Sequence, residues 1–266
     1  MLNTVKKVGP VLELFTVEQP EWRMTDIART LDMPKSSVHS LLATLCDIGL
    51  LSVSEQGRYR LGWHLLSLAE RMRDSLDFRQ HALPEMETLA RELRETVLLA
   101  ALDRAEVIYV ERVEGRHPMV RLAGVSTGAR APAHCTAVGK VMLAHRDPGE
   151  VRMLLDRAGM KAYTKRTFTD PDLFEQQMVK VRRAGHAFDL QEIVPDVACA
   201  AVPITNRYGT VIAAMSVSMP AYRFPRERGP LLDAMKAAAD RISSEIAAAE
   251  AERAAGGAPE PAPALF

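Results

Sequence analysis

The stretch "MPKSSVHSLLATLCDIGLLS" (residues 33–52), running straight into "VSEQGRYRLG" (53–62), decides how the first part of the chain is read. Val38, Leu41, Leu42 and Leu45 recur at helical spacing. Pro34 opens that helix, where a missing N–H is harmless, and Gly49 closes it. Opposite the apolar stripe, the early turns carry Lys35, Ser36, Ser37, His39 and Ser40. These side chains suit entry into a DNA groove, although any soluble helix must show polar residues somewhere. The segment that follows weighs between the two. Residues 50–53, a Glu55-Gln56-Gly57 turn and residues 58–61 read as a short ribbon of two strands, with Arg58 at its tip.

Upstream, Val5, Val8, Val11, Leu12 and Phe15 predict a helix over 3–17, ended by Gln19-Pro20. "MTDIARTLDMP" predicts a second helix with Thr25 as its N-cap and Ile27, Ala28 and Leu31 on its buried face. Three helices, the last two joined by a tight turn, followed by a ribbon make a winged helix-turn-helix over residues 1–61. The expected DNA contacts are Ser36, Ser37, His39 and Ser40 at base edges, with Lys35, Arg58 and Arg60 on phosphates. A three-helix protein-interaction module with a solvated face fits the same pattern, and a sequence-specific DNA shift separates the two.

Global charge does not favour DNA. Lys and Arg number 34 against 34 Asp and Glu, whereas a generic polyanion binder is usually basic, so the claim rests on local geometry. With 47% apolar and 26% charged residues in 266, the chain has room for two globular domains. The expected setting is cytoplasmic and reducing, with no membrane partner: no apolar run is long enough to span a bilayer, the first ten residues lack a signal peptide's hydrophobic stretch, and Cys46, Cys135 and Cys199 are odd in number and far apart.

Beyond the wing, Leu61, Leu65, Leu68, Ala69, Met72 and Leu76 lie on one stripe of a helix over 62–76, in a linker spanning 62–77 with no internal Pro or Gly break. This stripe and that of 3–17 are too apolar to leave in water, which predicts a homodimer. Another helix is expected over 83–95, opened by Pro84. From Thr96 the texture changes: "VLLAALD", "EVIYVERVEG", "MVRLAG", "ACAAVPIT" and "TVIAAMSVSM" read as strands. Helices near 137–146, 148–159, 171–184 and 227–252 interrupt or follow them. The expectation for 78–250 is α+β with a mainly antiparallel sheet, an α/β domain of GAF/PAS-like kind; residues 251–266, rich in Ala, Pro and Gly, read as a disordered tail.

Spacing also suggests a site in this second domain. If Thr205 pairs with Thr210 across the loop 206–209, Cys199 stands opposite Ser216 and Val197 opposite Ser218, so Cys199, Ser216 and Ser218 share one face of the sheet. A slip of one residue would undo this. Thr136 is an expected N-cap for the helix from 137, whose first amides (Ala137, Val138, Gly139) would accept an anion. Asp189 offers an acceptor, or a donor when protonated.

With these pieces in place the sequence resembles the IclR family of bacterial transcriptional regulators over nearly everything but the tail. The winged helix, "HCTAVGKVMLA" (134–144), "DLQEIVPDVACAAVPI" (189–204) and "GTVIAAMSVSMP" (209–220) carry the resemblance, in the family's order and spacing. One departure is Asp196, where the family usually has glycine. The resemblance implies operator DNA as the partner of the first domain, a small metabolite as the effector of the second, and a dimer or dimer of dimers on an imperfect palindrome. It points to the same effector pocket and adds Val120, Ala123 and Ala131 to its apolar wall, beside Ala137, Val138, Asp189, Val197, Cys199, Ser216 and Ser218. An anion-accepting helix start, several hydroxyls and small apolar walls suit a small organic acid. No cofactor is expected.

Other classes stay in view. His134 beside Cys135 suggests a nucleophile and base, but adjacent residues seldom face each other and no orienting partner is evident, so no catalytic role is expected. His134 with Cys199 could ligate a metal, or the cysteines could sense redox state, yet close-set ligand pairs are missing.

Overall fold

In the computed structural model, which describes residues 3–116 and 125–255, contacts divide the chain between Ser75 and Leu76 into two compact units. The first begins with two short helices, α1 (Asn3–Lys6) and α2 (Val8–Glu13), rather than one helix over 3–17. Pro10 explains the break: it lacks an N–H and its ring crowds the carbonyl one turn back, at Lys6. A two-residue strand β1 (Trp22–Arg23) leads directly into α3 (Met24–Thr30), so Arg23 holds the cap position and Thr25, expected there, lies inside the first turn.

The recognition candidate is α4 (Lys35–Asp47), with Pro34 as N-cap and Val38, Leu41, Leu42 and Leu45 buried. It ends in a Schellman motif: Gly49, at φ +75°, donates to the Cys46 carbonyl at 3.0 Å and Leu50 donates to Leu45 at 2.9 Å. Strands β2 (Leu51–Val53) and β3 (Arg58–Leu61) form the wing, and β1 adds a third strand to its sheet in the order β1-β3-β2. The core beneath gathers Val11, Phe15, Ile27, Val38, Leu42 and Leu45. Helix α5 (Trp63–Asp74) completes this unit without burying any residue of its own.

The second unit opens with α6 (Asp77–Leu93), two turns earlier than the 83–95 expected, with Pro84 inside it. Burial of Phe78 and Ala82 extends the helix past a residue that ordinarily breaks one. Strands β4 (Thr96–Asp103), β5 (Glu106–Val113) and β6 (Arg130–Pro132) are followed by a 3-10 turn (Ala133–Cys135) and by α7 (Ala137–Ala144), α8 (Pro148–Ala158) and α9 (Pro171–Ala184). Then come β7 (Ala187–Leu190), β8 (Val197–Thr205), β9 (Val211–Pro220) and α10 (Phe224–Ala255). The expected strand at 119–124 lies outside the described residues, as do residues 256–266; residues 251–255, expected in the tail, continue α10.

The six-stranded sheet, in the order β6-β5-β4-β9-β8-β7, is antiparallel throughout. Alternation sends Val97, Leu99, Ala200, Met215 and Val217 to one face, beneath α6 and α10. Leu98, Ala100, Ala201 and Ala214 point to the other, beneath α7, α8 and α9. Among the described residues no helix is long and apolar enough to cross a membrane.

The β8–β9 register corrects the sequence reading. Cys199 faces Ser218, Ala201 faces Ser216 and Val197 faces Pro220, two places from the expected pairing. Two one-residue changes combine. The turn holds residues 206–210, closed by the Asn206 N–H donating to the Thr210 carbonyl at 3.0 Å, so Thr205 faces Val211 rather than Thr210. A bulge between Ile204 and Thr205 then moves the ladder once more. An even slip preserves the faces, and Cys199, Ser216 and Ser218 remain on one side.

Candidate functional site

Two surfaces carry chemistry. On the first unit, Lys35, Ser36, Ser37, His39 and Ser40 are all exposed along α4. Ser36 and Ser40, four apart, stand diametrically opposite the buried stripe, with Ser37 and His39 on the flanks. Arg58 and Arg60 are exposed on β3, and Arg60 donates Nε to Ser52 Oγ at 3.2 Å. Arg23, overlooked in the sequence because a two-residue strand leaves no pattern, pairs across β1–β3 with Arg58 and puts a second guanidinium at the wing. Residues 1–75 hold nine Lys and Arg and nine Asp and Glu, so any affinity for DNA comes from this placement and not from net charge.

On the second unit, pairing aligns a polar row across four strands: Thr96 on β4, Ser218 on β9, Cys199 on β8 and Asp189 on β7. All four lie on the face beneath α7. Cys199 Sγ and Ser218 Oγ are 3.2 Å apart. Thr96 is 1% exposed and its Oγ1 has no hydrogen-bond partner. In the adjacent row Ser216 lies between Leu98 and Ala201, and Val197 sits two residues before Cys199 on the same face. The row therefore unites Asp189, Cys199 and Ser218, with Ser216 and Val197 flanking it, and adds Thr96. Its hydroxyl was missed because "ETVLLAALD" reads only as an apolar strand.

Above this face stands the start of α7. Thr136 caps it as expected, its Oγ1 accepting from the Gly139 N–H at 3.2 Å. The 3-10 turn packs so tightly on this first helical turn that a Cβ on Gly139 would lie 2.3 Å from the Ala133 carbonyl oxygen. Ala137 and Val138, whose amides lack intrahelical acceptors, belong with Ala131 to the apolar cluster on this side of the sheet. Val120 and Ala123 lie outside the described residues.

The electrostatics centre on a buried ion pair absent from the sequence reading. Lys140, on the second turn of α7, donates Nζ to Glu192 Oε1, with side chains 1% and 5% exposed. Glu192 Oε2 has no hydrogen-bond partner. The Glu192 N–H donates to Asp189 Oδ1 at 2.7 Å. Burial pushes the Asp189 carboxyl up to about 7, outweighing the hydrogen bond from Glu192 and the field of Lys140. Burial likewise raises the Glu192 carboxyl and the Tyr109 phenol, the latter also feeling Cys199 and Asp189. The site is thus buried and polar, with the Asp189 and Glu192 carboxyls held toward their neutral forms.

A nucleophile–base pair is not assembled. His134 Nε2 lies 3.1 Å from the Lys161 carbonyl, and Cys135 Sγ lies 3.7 Å from the Pro132 carbonyl. Burial drives the Cys135 thiol up to about 12, the reverse of what a reactive thiolate requires. Cys199 is raised by burial as well. Among the described residues no three His, Cys, Asp or Glu side chains converge as metal ligands.

Residues 71–244 match the model of the bacterial transcriptional regulator IclR C-terminal domain, and residues 4–54 match the IclR helix-turn-helix domain. The chain belongs to the IclR family of transcriptional regulators. Relatives in Escherichia coli K12 include the HTH-type transcriptional regulator XynR, 33% identical over 82% of this chain and 86% of its own length. KdgR is 32% identical over 92% of this chain and 93% of its own. Among solved structures, an IclR homologue from Microbacterium hydrocarbonoxydans complexed with 4-hydroxybenzoate superposes with a TM-score of 0.80 at 30% identity, covering 92% of this chain and all of that one. These are regulators, not enzymes. Within this IclR-family chain, Asp196 occupies a left-handed conformation (φ +61°), which explains why glycine is usual there and why Asp, tolerant of that region, can replace it. Its carbonyl accepts from the Ala221 N–H at 2.9 Å, joining the loop before β8 to the end of β9.

Proposed function

We propose that this regulator binds operator DNA through α4 and the wing, and that a small organic acid held between the start of α7 and the polar row controls that binding. Thr96 carries the reading: a hydroxyl buried without a partner, in line with Ser218, Cys199 and Asp189, is a group awaiting a hydrogen bond. The acid's carboxylate would meet the α7 amides, its apolar body would lie against Ala131, Ala137 and Val138, and its further oxygens would hydrogen-bond Ser216 and Ser218 and reach toward Thr96 and Asp189. The 4-hydroxybenzoate bound by the Microbacterium homologue has this make-up, an apolar ring between a carboxylate and a hydroxyl.

The protein acts as a dimer in the cytoplasm, with 1–61 as the DNA-binding part, 62–77 as linker and 78–250 as effector part. Exposed apolar residues on and beside α5 support the dimer, among them Trp63 at 83% and Leu68 at 41%, with Leu61, Leu66 and Met72. Selection of duplexes from a random library tests the proposal. It should yield an imperfect palindrome with half-sites about 34 Å apart or a multiple of it. A panel of aromatic and aliphatic acids added to that complex should contain one that shifts operator affinity at least fivefold. A selection without enriched sequence, or a panel without effect alongside sugars or nucleotides that act, overturns it.

A further inference from the structure

A cavity of about 380 Å³ lies at the other end of α7, between its last turn and helices α8 and α9. Leu143, Val151, Leu155, Phe174 and Met178 line its floor. None of the polar-row residues reaches it. Its size falls within the range of small-ligand sites, roughly 300–1,000 Å³.

Four arginines, Arg146, Arg152, Arg182 and Arg183, line the cavity together with Glu175. These arginines are not equivalent. Arg146 pairs with Glu150, and Arg152 with Asp156 and Asp172. Arg182 donates Nε to the Ala144 carbonyl at 2.5 Å and a terminal nitrogen to the Arg146 carbonyl at 2.6 Å, tying α9 to the end of α7. Arg183 is exposed and has neither an ion pair nor a side-chain hydrogen bond among the described residues. An apolar chamber with a spare guanidinium in its lining matches one ligand chemistry: an anionic head on a hydrocarbon body.

We propose that this cavity is a second ligand site, taking medium-chain or aryl-alkyl carboxylates, with the hydrocarbon against Leu155, Phe174 and Met178 and the carboxylate at Arg183. It is separate from the polar row, and its occupant adjusts the first site through α7. All eight residues of α7 are buried, so the helix moves as a packed rod. A molecule wedged against Leu143 acts on one end of that rod, through the Arg182 tie, and the amides of Ala137 and Val138 lie at the other. This coupling, unlike the binding itself, rests on the effector reading given above; where it exists, it is reciprocal.

Octanoate serves as the probe, titrated into the full-length protein with methyl-labelled Leu, Val and Met. The Leu143, Leu155 and Met178 methyl resonances should shift in a saturable way, while those of Val138 and Val197 respond less. Arg183→Glu, an exposed change that spares the core, should weaken octanoate at least fivefold, and uncharged 1-octanol should bind less tightly than octanoate. Met178→Trp should fill the cavity and abolish the shifts. The double variant Ser216→Ala/Ser218→Ala should bind octanoate within twofold of wild type, which separates this site from the first. Shifts centred on Val138 and Val197 that vanish in the serine double variant would put octanoate in the first site and overturn the proposal. An affinity unchanged by Arg183→Glu would also overturn it. Coupling is measured in the wild-type protein as a change of at least twofold in affinity for the acid selected from the panel on adding octanoate; no change there with intact octanoate binding refutes the coupling alone.

Discussion

Lys140→Met offers a demanding test of the buried electrostatics beneath the proposed effector site. Lys140 and Glu192 are almost wholly buried, and Glu192 Oε2 has no partner, so Lys140 is the one cation paired with that carboxylate among the described residues. Removing it leaves an unpaired charge in a buried site three residues from Asp189, a change that typically costs about 3–5 kcal/mol. With a urea m-value of about 2 kcal/mol per molar, the midpoint of the second unit should fall by roughly 2 M. Trp22 and Trp63, the chain's two tryptophans, both belong to the first unit. Tryptophan fluorescence therefore reports that unit as an internal control, while far-UV circular dichroism follows the rest. The loss should shrink at low pH, where Glu192 takes up a proton. Lys140→Met/Glu192→Leu should recover most of the stability, because two apolar side chains replace an ion pair whose desolvation was costly. A loss below about 1 kcal/mol for the single variant, or a double variant no better than the single, refutes this reasoning.

Asp189 gives a signed pH dependence. Its carboxyl titrates near 7 when folded and near 3.8 otherwise, so the folded state retains a proton that the unfolded chain loses between these values. Stability present at pH 4 should therefore decline as pH rises toward 7, by up to about 1.4 kcal/mol per unit, and Asp189→Asn should flatten that slope in urea titrations at several pH values. Thr96→Val removes an unpartnered hydroxyl at nearly constant volume. It should leave stability unchanged or raise it by about 1 kcal/mol, yet weaken the acid effector several-fold in calorimetry; equal affinity for the acid would remove Thr96 from the site. Arg58→Ala should weaken operator binding uniformly across sequences and reduce the logarithmic salt slope by about one unit in anisotropy titrations, and an unchanged slope would take the wing tip off the phosphates.

Local signals carried much of this architecture in the sequence. The α4 stripe, Gly49 as the helix stop and Thr136 as a cap each act within a few residues and are found where their chemistry implies. Readings failed where distant packing outweighed local rules. Burial of Phe78 and Ala82 carried α6 through Pro84, and pairing of Trp22 with Tyr59 drew the start of α3 forward past Thr25. At the candidate site, residue types were legible and partners were not. Cys199, Ser216 and Ser218 fell on one face because two register changes compensated. Lys140, set in an apolar helix, gave no hint of a carboxylate 52 positions away.

The central claim, that an acid on the polar row controls operator binding, is tested most directly by Ser216→Ala/Ser218→Ala in an operator titration with and without the selected acid. Without the acid, the double variant should bind operator as wild type does. With it, the wild-type response should disappear over the same concentration range, because losing two hydrogen bonds costs about 1–3 kcal/mol, roughly tenfold to a hundredfold in affinity. A double variant that responds to the acid at wild-type concentrations would contradict the account and place the effector elsewhere in the second unit.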